Sequence, residues 1–130
     1  MNRSSMTLHH ARLWQGLGWA LVAIVVWLSL DPSPPAPPDF LAWDKAQHAL
    51  AYGTLAWWFR QSFAPHRRWP LFLVGLGIGL EFLQGLGGVR MFDVDDMLAN
   101  TVGVGLGTAL AVWTPAGRLL GWTDRRLAPA

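Results

Sequence analysis

The 130-residue sequence contains no cysteine, a single tyrosine and few charged residues. The absence of cysteine excludes disulfides and thiol chemistry, and it removes redox usage as an indicator of compartment. Only 14% of the residues are charged and 52% are hydrophobic, whereas roughly 25% of the residues in a soluble domain are charged. This balance predicts a polytopic membrane protein with one compact domain, because the chain is too short for two.

Several catalytic motifs are absent as well. The sequence contains no phosphate-binding glycine loop, no Gly-x-Ser-x-Gly elbow and no nucleotide-binding motif,. It also lacks the His-Glu-x-x-His pattern of a zinc protease,. We therefore expect no cofactor and no metal. If a metal were bound, the available ligands would be His48, Glu81, Asp93 and Asp96.

Four apolar segments have the length of membrane-spanning helices, at about residues 13–30, 46–63, 70–87 and 97–114. A spanning helix needs roughly 17–25 residues. The second segment is the weakest, since it contains His48 near its start and Arg60 near its end. The sequence thus predicts an all-α, four-transmembrane-helix bundle over residues 13–114, with tails at residues 1–12 and 115–130.

The basic residues predict the orientation of this bundle. Two of the ten, Lys45 and Arg90, would lie on the side opposite the N-terminus. The other eight would share the side of the N-terminus: Arg3, Arg12, Arg60, Arg67, Arg68, Arg118, Arg125 and Arg126. By the positive-inside rule, both termini and the loop at residues 66–69 are cytoplasmic. The basic excess is then a topological signal with attraction to anionic lipid, and we expect no nucleic-acid partner.

Glycines indicate how the helices meet. Gly75 and Gly79 have small-xxx-small spacing in the third helix, with Gly77 adding to them, and Gly103 and Gly107 have it in the fourth, with Gly105 between. Such surfaces let two helix backbones approach closely. We expect helices three and four to pack against each other here, in preference to a dimer contact.

Polar residues of three segments gather at one end of the membrane, the end opposite the termini. Ionisable groups in or beside hydrocarbon are costly and tend to mark function. We expect their side chains to converge between the helices. The candidate site residues are Asp44, Lys45, His48, Tyr52, Glu81, Gln84, Arg90, Asp93, Asp96 and Asn100.

The depth of Glu81 requires a partner. With a rise of ~1.5 Å per residue, Glu81 lies roughly 7–10 Å below the end of the third helix. A carboxylate at that depth needs an opposite charge or a proton. The candidate partners on the same side are Arg90, Lys45 and His48, and a buried Glu81–Arg90 ion pair is one structural interpretation.

Other candidates have structural interpretations too. Asp44 would cap helix two, and Asp93 or Asp96 would cap helix four. Asn100 would form an interhelical hydrogen bond. Packing is the structural interpretation of two further residues, Tyr52 and Gln84.

The ordered set of polar residues carries a resemblance to a known family. The three parts are Asp44-Lys45-x-x-His48-x-x-x-Tyr52, Glu81-x-x-Gln84 and Arg90-x-x-Asp93-x-x-Asp96-x-x-x-Asn100-x-x-Gly103. This set resembles the VanZ-like family of small bacterial integral membrane proteins over about residues 44–107. The resemblance implies a multi-pass protein of the bacterial inner membrane and a cell-envelope context. It also implies a link to glycopeptide tolerance, since the family is named for a protein associated with tolerance of teicoplanin.

Three functions are compatible with these residues. In an enzyme acting on a lipid-linked envelope substrate, His48 would be general base or nucleophile, oriented by Asp44, with Glu81 as a second acid–base group. Arg90 and Lys45 would hold phosphate or carboxylate. In a non-catalytic binding protein, the same basic groups would hold a lipid head group. In a structural module, the polar set would only stabilise a bundle that serves a membrane protein partner. The oligomeric state does not follow from the sequence.

Overall fold

The computed structural model describes residues 7–88 and 90–129, and within these ranges all regular structure is helical. Arg3, one of the basic residues used for orientation, lies outside them. The five α-helices are α1 (Ala11–Leu30), α2 (Asp44–Ser62), α3 (Arg68–Leu86), α4 (Val94–Trp113) and α5 (Leu119–Leu127). Short 3-10 helices occupy Asp39–Leu41 and Pro115–Arg118. The all-α prediction is confirmed, and the four long helices begin two or three residues before the predicted segments.

The number of spanning helices differs from the prediction. By length and composition, two helices of the described part of the chain, α1 and α3, are able to cross a membrane. A third is reached if α4 and the segment Pro115–Leu127, which meet at a bend of 76°, count as one broken span. The predicted count of four is therefore not confirmed. Helix α2 does not qualify because polar residues occupy both of its ends, among them Lys45 and Arg60.

Helix α2 is nevertheless the centre of the bundle. It packs against α1, α3 and α4, and it contributes Tyr52, Leu55, Ala56 and Phe59 to the buried core. A helix that neighbours cover on several sides does not need an apolar surface facing lipid. The exposed surface of α1, α3 and α4 is instead rich in large apolar side chains, among them Trp27, Leu71 and Leu106. This distribution is that of a membrane protein.

Gly103 and Gly107 of α4 pack against α2, so the prediction that they meet α3 is wrong, although α3 and α4 do pack against each other elsewhere. A methyl group built on Gly103 would lie within 3 Å of the backbone of Ala49. One built on Gly107 would overlap the backbone of Gly53. The two backbones therefore touch, and only glycine fits at these two positions of α4.

The glycines predicted to form the matching surface on α3 do not contact another helix. Methyl groups built on Gly75 and Gly79 would meet no atom within 4 Å. The close contact of α3 is made by Gly77, which lies against Asn100 and Tyr52. Small-residue spacing thus identified a flat helix surface in α4 but not the helix that covers it.

Both ends of the described chain lie at one end of the bundle. The side chain of Asp124 in α5 is 1% exposed. Its carboxylate accepts hydrogen bonds from the backbone N–H groups of His9 (2.6 Å) and His10 (3.0 Å) and from the indole N–H of Trp14 (2.7 Å). This contact joins α5 to the start of α1. At the opposite end, the amide of Gln84 donates to the carbonyl of Ser29 (2.7 Å).

Candidate functional site

Seven polar residues meet at the end of the bundle opposite the termini, and we call them the polar cluster. They come from the start of α2, the last turns of α3 and the start of α4: Asp44, Lys45, His48, Glu81, Asp93, Asp96 and Asn100. The contacts described below bring the side chains of α2 and α4 together and place Glu81 of α3 against the start of α4. The predicted convergence is thereby confirmed, whereas a functional role for these residues stays a prediction.

Lys45 links the starts of α2 and α4. Its ammonium group donates to Asp93 (2.6 Å) and to Asp96, and it lies 3.8 Å from a carboxylate oxygen of Asp44. The hydrogen bond from Lys45 holds the pKa of Asp93 below its ordinary value, and the backbone N–H of Asp95 adds to the effect,. Lys45 is thus neutralised by the protein itself, so holding a phosphate would require it to leave these carboxylates.

His48 is held between the two helices by Asn100. The Nδ1 atom of His48 lies 2.9 Å from the side-chain oxygen of Asn100. An amide oxygen only accepts hydrogen bonds, so Nδ1 carries a proton and donates it. The other ring nitrogen, Nε2, lies 3.5 Å from Asp96 and 3.7 Å from Asp44. The predicted interhelical hydrogen bond of Asn100 is confirmed, and Asn100 contacts His48 more closely than Asp44 does.

Glu81 is buried, but its partner is not the predicted one. Its side chain accepts a hydrogen bond from the backbone N–H of Asp93 (2.7 Å), and the residue is 2% exposed. Arg90 is exposed, and in the described ranges its guanidinium makes no ion pair. The predicted Glu81–Arg90 pair is therefore wrong. The backbone N–H of Asp93, just before the first residue of α4, contacts the carboxyl group instead.

The capping predictions have opposite outcomes. Asp93 is the N-cap of α4, where its side chain accepts the N–H of Asp95 (2.8 Å), so this prediction is confirmed. Asp44 is the first residue of α2 and follows the N-cap Trp43, which makes no side-chain capping bond. The capping prediction for Asp44 is wrong. Its half-exposed carboxylate still lies in the first turn, where a negative charge complements the helix dipole,.

Three candidate residues lie outside the polar cluster, and one of them is the exposed Arg90. Tyr52 is 3% exposed and belongs to the hydrophobic core, where it lies against Gly77. Gln84 turns away to α1 through its bond to Ser29. The positions of Tyr52 and Gln84 agree with the packing interpretation of these two residues.

The polar cluster has an excess of negative charge. Besides the buried Glu81, it contains the carboxylates of Asp44, Asp93 and Asp96 and one permanent cation, Lys45. A concentration of one sign of charge at a low-dielectric surface attracts the opposite charge. The cluster is therefore suited to a cationic or cation-bearing partner more than to a bare anion.

Three of its side chains are also arranged as ligands of a metal ion. Asp44, His48 and Asp96 each offer a donor atom, and these atoms lie within 4.8 Å of one another. Imidazole and carboxylate donors suit Zn²⁺ and similar divalent ions. The ammonium of Lys45 already contacts Asp96, so a metal would compete with it for that carboxylate. The prediction that no metal is bound stays a prediction.

The comparisons with known proteins identify one family. The model of the family described as VanZ/LLP1 matches residues 3–115. No curated protein matches the chain, and no solved structure matches it. The matched region includes the whole polar cluster.

Removing the ammonium of Lys45 should destabilise the fold. Lys45→Met keeps the length of the side chain but leaves Asp96, which is 8% exposed, without its cation,. We expect the melting temperature in detergent to fall by roughly 5 °C. Lys45→Arg is the matched control, since it keeps the charge and should retain most of the stability. Equal melting temperatures for the wild type and Lys45→Met would contradict a structural role for this contact.

Proposed function

The chain belongs to the VanZ/LLP1 family, and we propose that it is an integral membrane protein that binds or acts on the head group of a lipid-linked cell-envelope component at the polar cluster. The observation that carries this proposal is the position of His48. Asn100 holds one ring nitrogen, and the other is directed toward the half-exposed Asp44. A buried interhelical hydrogen bond thus orients an imidazole at the edge of a membrane protein.

The polar cluster divides into two parts with different roles. Lys45, Asp93 and Glu81 hold the starts of α2 and α4 and the end of α3 in place. Asp44 and His48 have contacts of 3.5–3.8 Å on the side away from Asn100, which are longer than direct hydrogen bonds. These two side chains are the ones available to a ligand. The Nε2 atom of His48 is the candidate group for accepting a proton from a substrate.

The surroundings of the polar cluster suit a lipid head group. Trp43 directly precedes Asp44, Met91 directly follows Arg90, and Phe40 lies in the preceding 3-10 helix; all three are largely exposed. Exposed aromatic and apolar side chains at the end of a helix bundle fit the membrane interface. The negative charge of the cluster favours a head group with an amine or with a bound divalent cation, and in this proposal the exposed Arg90 would contact an anionic part of it,.

A second candidate function is a structural module that serves a membrane protein partner. The contacts of Lys45 and the N-cap formed by Asp93 favour it, because both stabilise the bundle without any ligand. In this case His48 would be one more packing residue. Its loss would lower the stability of the bundle, as the loss of Lys45 would.

Orientation decides which leaflet the polar cluster meets. We propose that the termini are cytoplasmic in a bacterial inner membrane, so that the cluster lies at the outer face. The chain has no cysteine, so single cysteines report cleanly. A membrane-impermeant maleimide added to intact cells should label Ser33→Cys and should label His66→Cys only after permeabilisation. Labelling of position 66 in intact cells would contradict this orientation.

His48 provides the test between the two functions. His48→Ala and Asp44→Asn should abolish the glycopeptide tolerance that we expect the chain to confer on a bacterial host, while the melting temperature changes by less than about 2 °C, because neither side chain takes part in the short Lys45 contacts to Asp93 and Asp96,. The control is His9→Ala, since His9 lies at the other end and bonds through its backbone. Retained tolerance in the His48 and Asp44 variants would refute the site. Tolerance lost only together with folded protein would favour the structural module.

A further inference from the structure

A cavity lies at the other end of the bundle, far along α2 from the polar cluster. It has a volume of about 370 Å³ and opens among the end of α2, the start of α3 and the loop between them. Ala56, Phe59 and Leu73 form its apolar floor, and each of them is at most 3% exposed. Its size is in the range of small-ligand sites, roughly 300–1,000 Å³.

The polar side chains of the cavity are almost all hydrogen-bond donors. Arg60, His66, Arg67 and Trp69 line it, together with the hydroxyl of Thr108, and none of its lining residues is acidic. Within residues 7–88 and 90–129, neither Arg60 nor Arg67 pairs with a carboxylate. Two arginines thus line a cavity whose lining residues include no counter-charge.

The neutral ring of His66 adds to this donor surface. The Nδ1 atom of His66 accepts the backbone N–H of Arg68 (3.0 Å), so the neutral ring carries its proton on Nε2, where it is free to donate. The indole N–H of Trp69 is buried, without an acceptor in the described part of the chain, and has almost no accessible surface, so it is not part of this donor surface.

We propose that this cavity binds an anionic membrane phospholipid, with the phosphate between Arg60 and Arg67 and the start of an acyl chain against Phe59 and Leu73. A phosphate group accepts several strong, charge-assisted hydrogen bonds from guanidinium groups. Topology alone accounts for basic residues at this end of the bundle. It does not account for a cavity between two arginines whose remaining lining is largely apolar, whereas an amphiphilic anion fits both parts of that lining.

Native mass spectrometry of the full chain in detergent tests this proposal. We expect phosphatidylglycerol to remain bound at least roughly tenfold more than phosphatidylcholine, which has no net charge. Inorganic phosphate in excess should not displace it, because a free phosphate has no apolar part for the floor. Displacement by phosphate would show a simple anion site and would overturn the lipid assignment, as would equal binding of the two lipids.

Variants locate the site. The double variant Arg60→Gln/Arg67→Gln should lose phosphatidylglycerol by roughly tenfold. The double variant Arg12→Gln/Arg118→Gln is the matched control, because both residues are exposed at the same end and neither lines the cavity. Equal losses in the two double variants would show general attraction to a basic surface and would overturn the proposal.

Two single changes keep the test valid if the double variant unfolds. Arg67→Gln alters an exposed loop residue and should reduce binding by itself. Ala64→Trp, also at an exposed lining position, should reduce binding by filling the opening while every charge is kept. Unchanged retention of phosphatidylglycerol in both variants would refute the cavity as the binding site.

Discussion

The close approach of α2 and α4 determines where the side chains of the polar cluster lie. Gly103 and Gly107 bring the backbone of α4 into contact with Ala49 and Gly53. At this separation His48 reaches Asn100 at 2.9 Å, and the ammonium of Lys45 reaches two carboxylates of the neighbouring helix. A wider separation would leave charged groups at a buried end without partners, which is strongly destabilising. Helix contact and charge pairing therefore depend on each other.

The same contact explains how a weakly apolar helix occupies the centre of a membrane protein. Neighbouring helices cover α2, so its polar ends face protein and the two ends of the bundle. Those ends differ in charge. The end formed by the start of α2 carries an excess of carboxylates, while the other carries Arg60 and Arg67 around an apolar cavity. The fold thus places a negative cluster and a basic cavity at opposite ends of one central helix.

The sequence predicted the long helices and the convergence of their polar ends, because apolar length and helical spacing are local properties. It failed where the answer depended on which surfaces meet. Small-residue spacing marks a flat helix surface but does not identify the helix that covers it. Gly103 was therefore predicted to pack against α3, whereas it packs against α2. Likewise, a buried carboxyl group accepts a hydrogen bond from a backbone N–H as readily as from a guanidinium, so the interpretation that pairs Glu81 with Arg90 was wrong. The bond between Asp124 and the start of α1 joins residues more than 100 positions apart and had no local signal.

The charge pairing of Lys45 depends on the contact between α2 and α4, and the coupling free energy between Lys45 and Asp96 measures this dependence most directly. A double-mutant cycle with Lys45→Met and Asp96→Asn gives it from unfolding in detergent. It should be measured in the wild type, in Gly103→Ala, whose methyl group would collide with Ala49, and in Gly105→Ala, whose methyl group would meet no atom within 4 Å. We predict a coupling of about 1 kcal/mol in the wild type and in Gly105→Ala, and a clear loss in Gly103→Ala. The same coupling in all three backgrounds would contradict the account, because the ion pair would then not depend on the contact between α2 and α4.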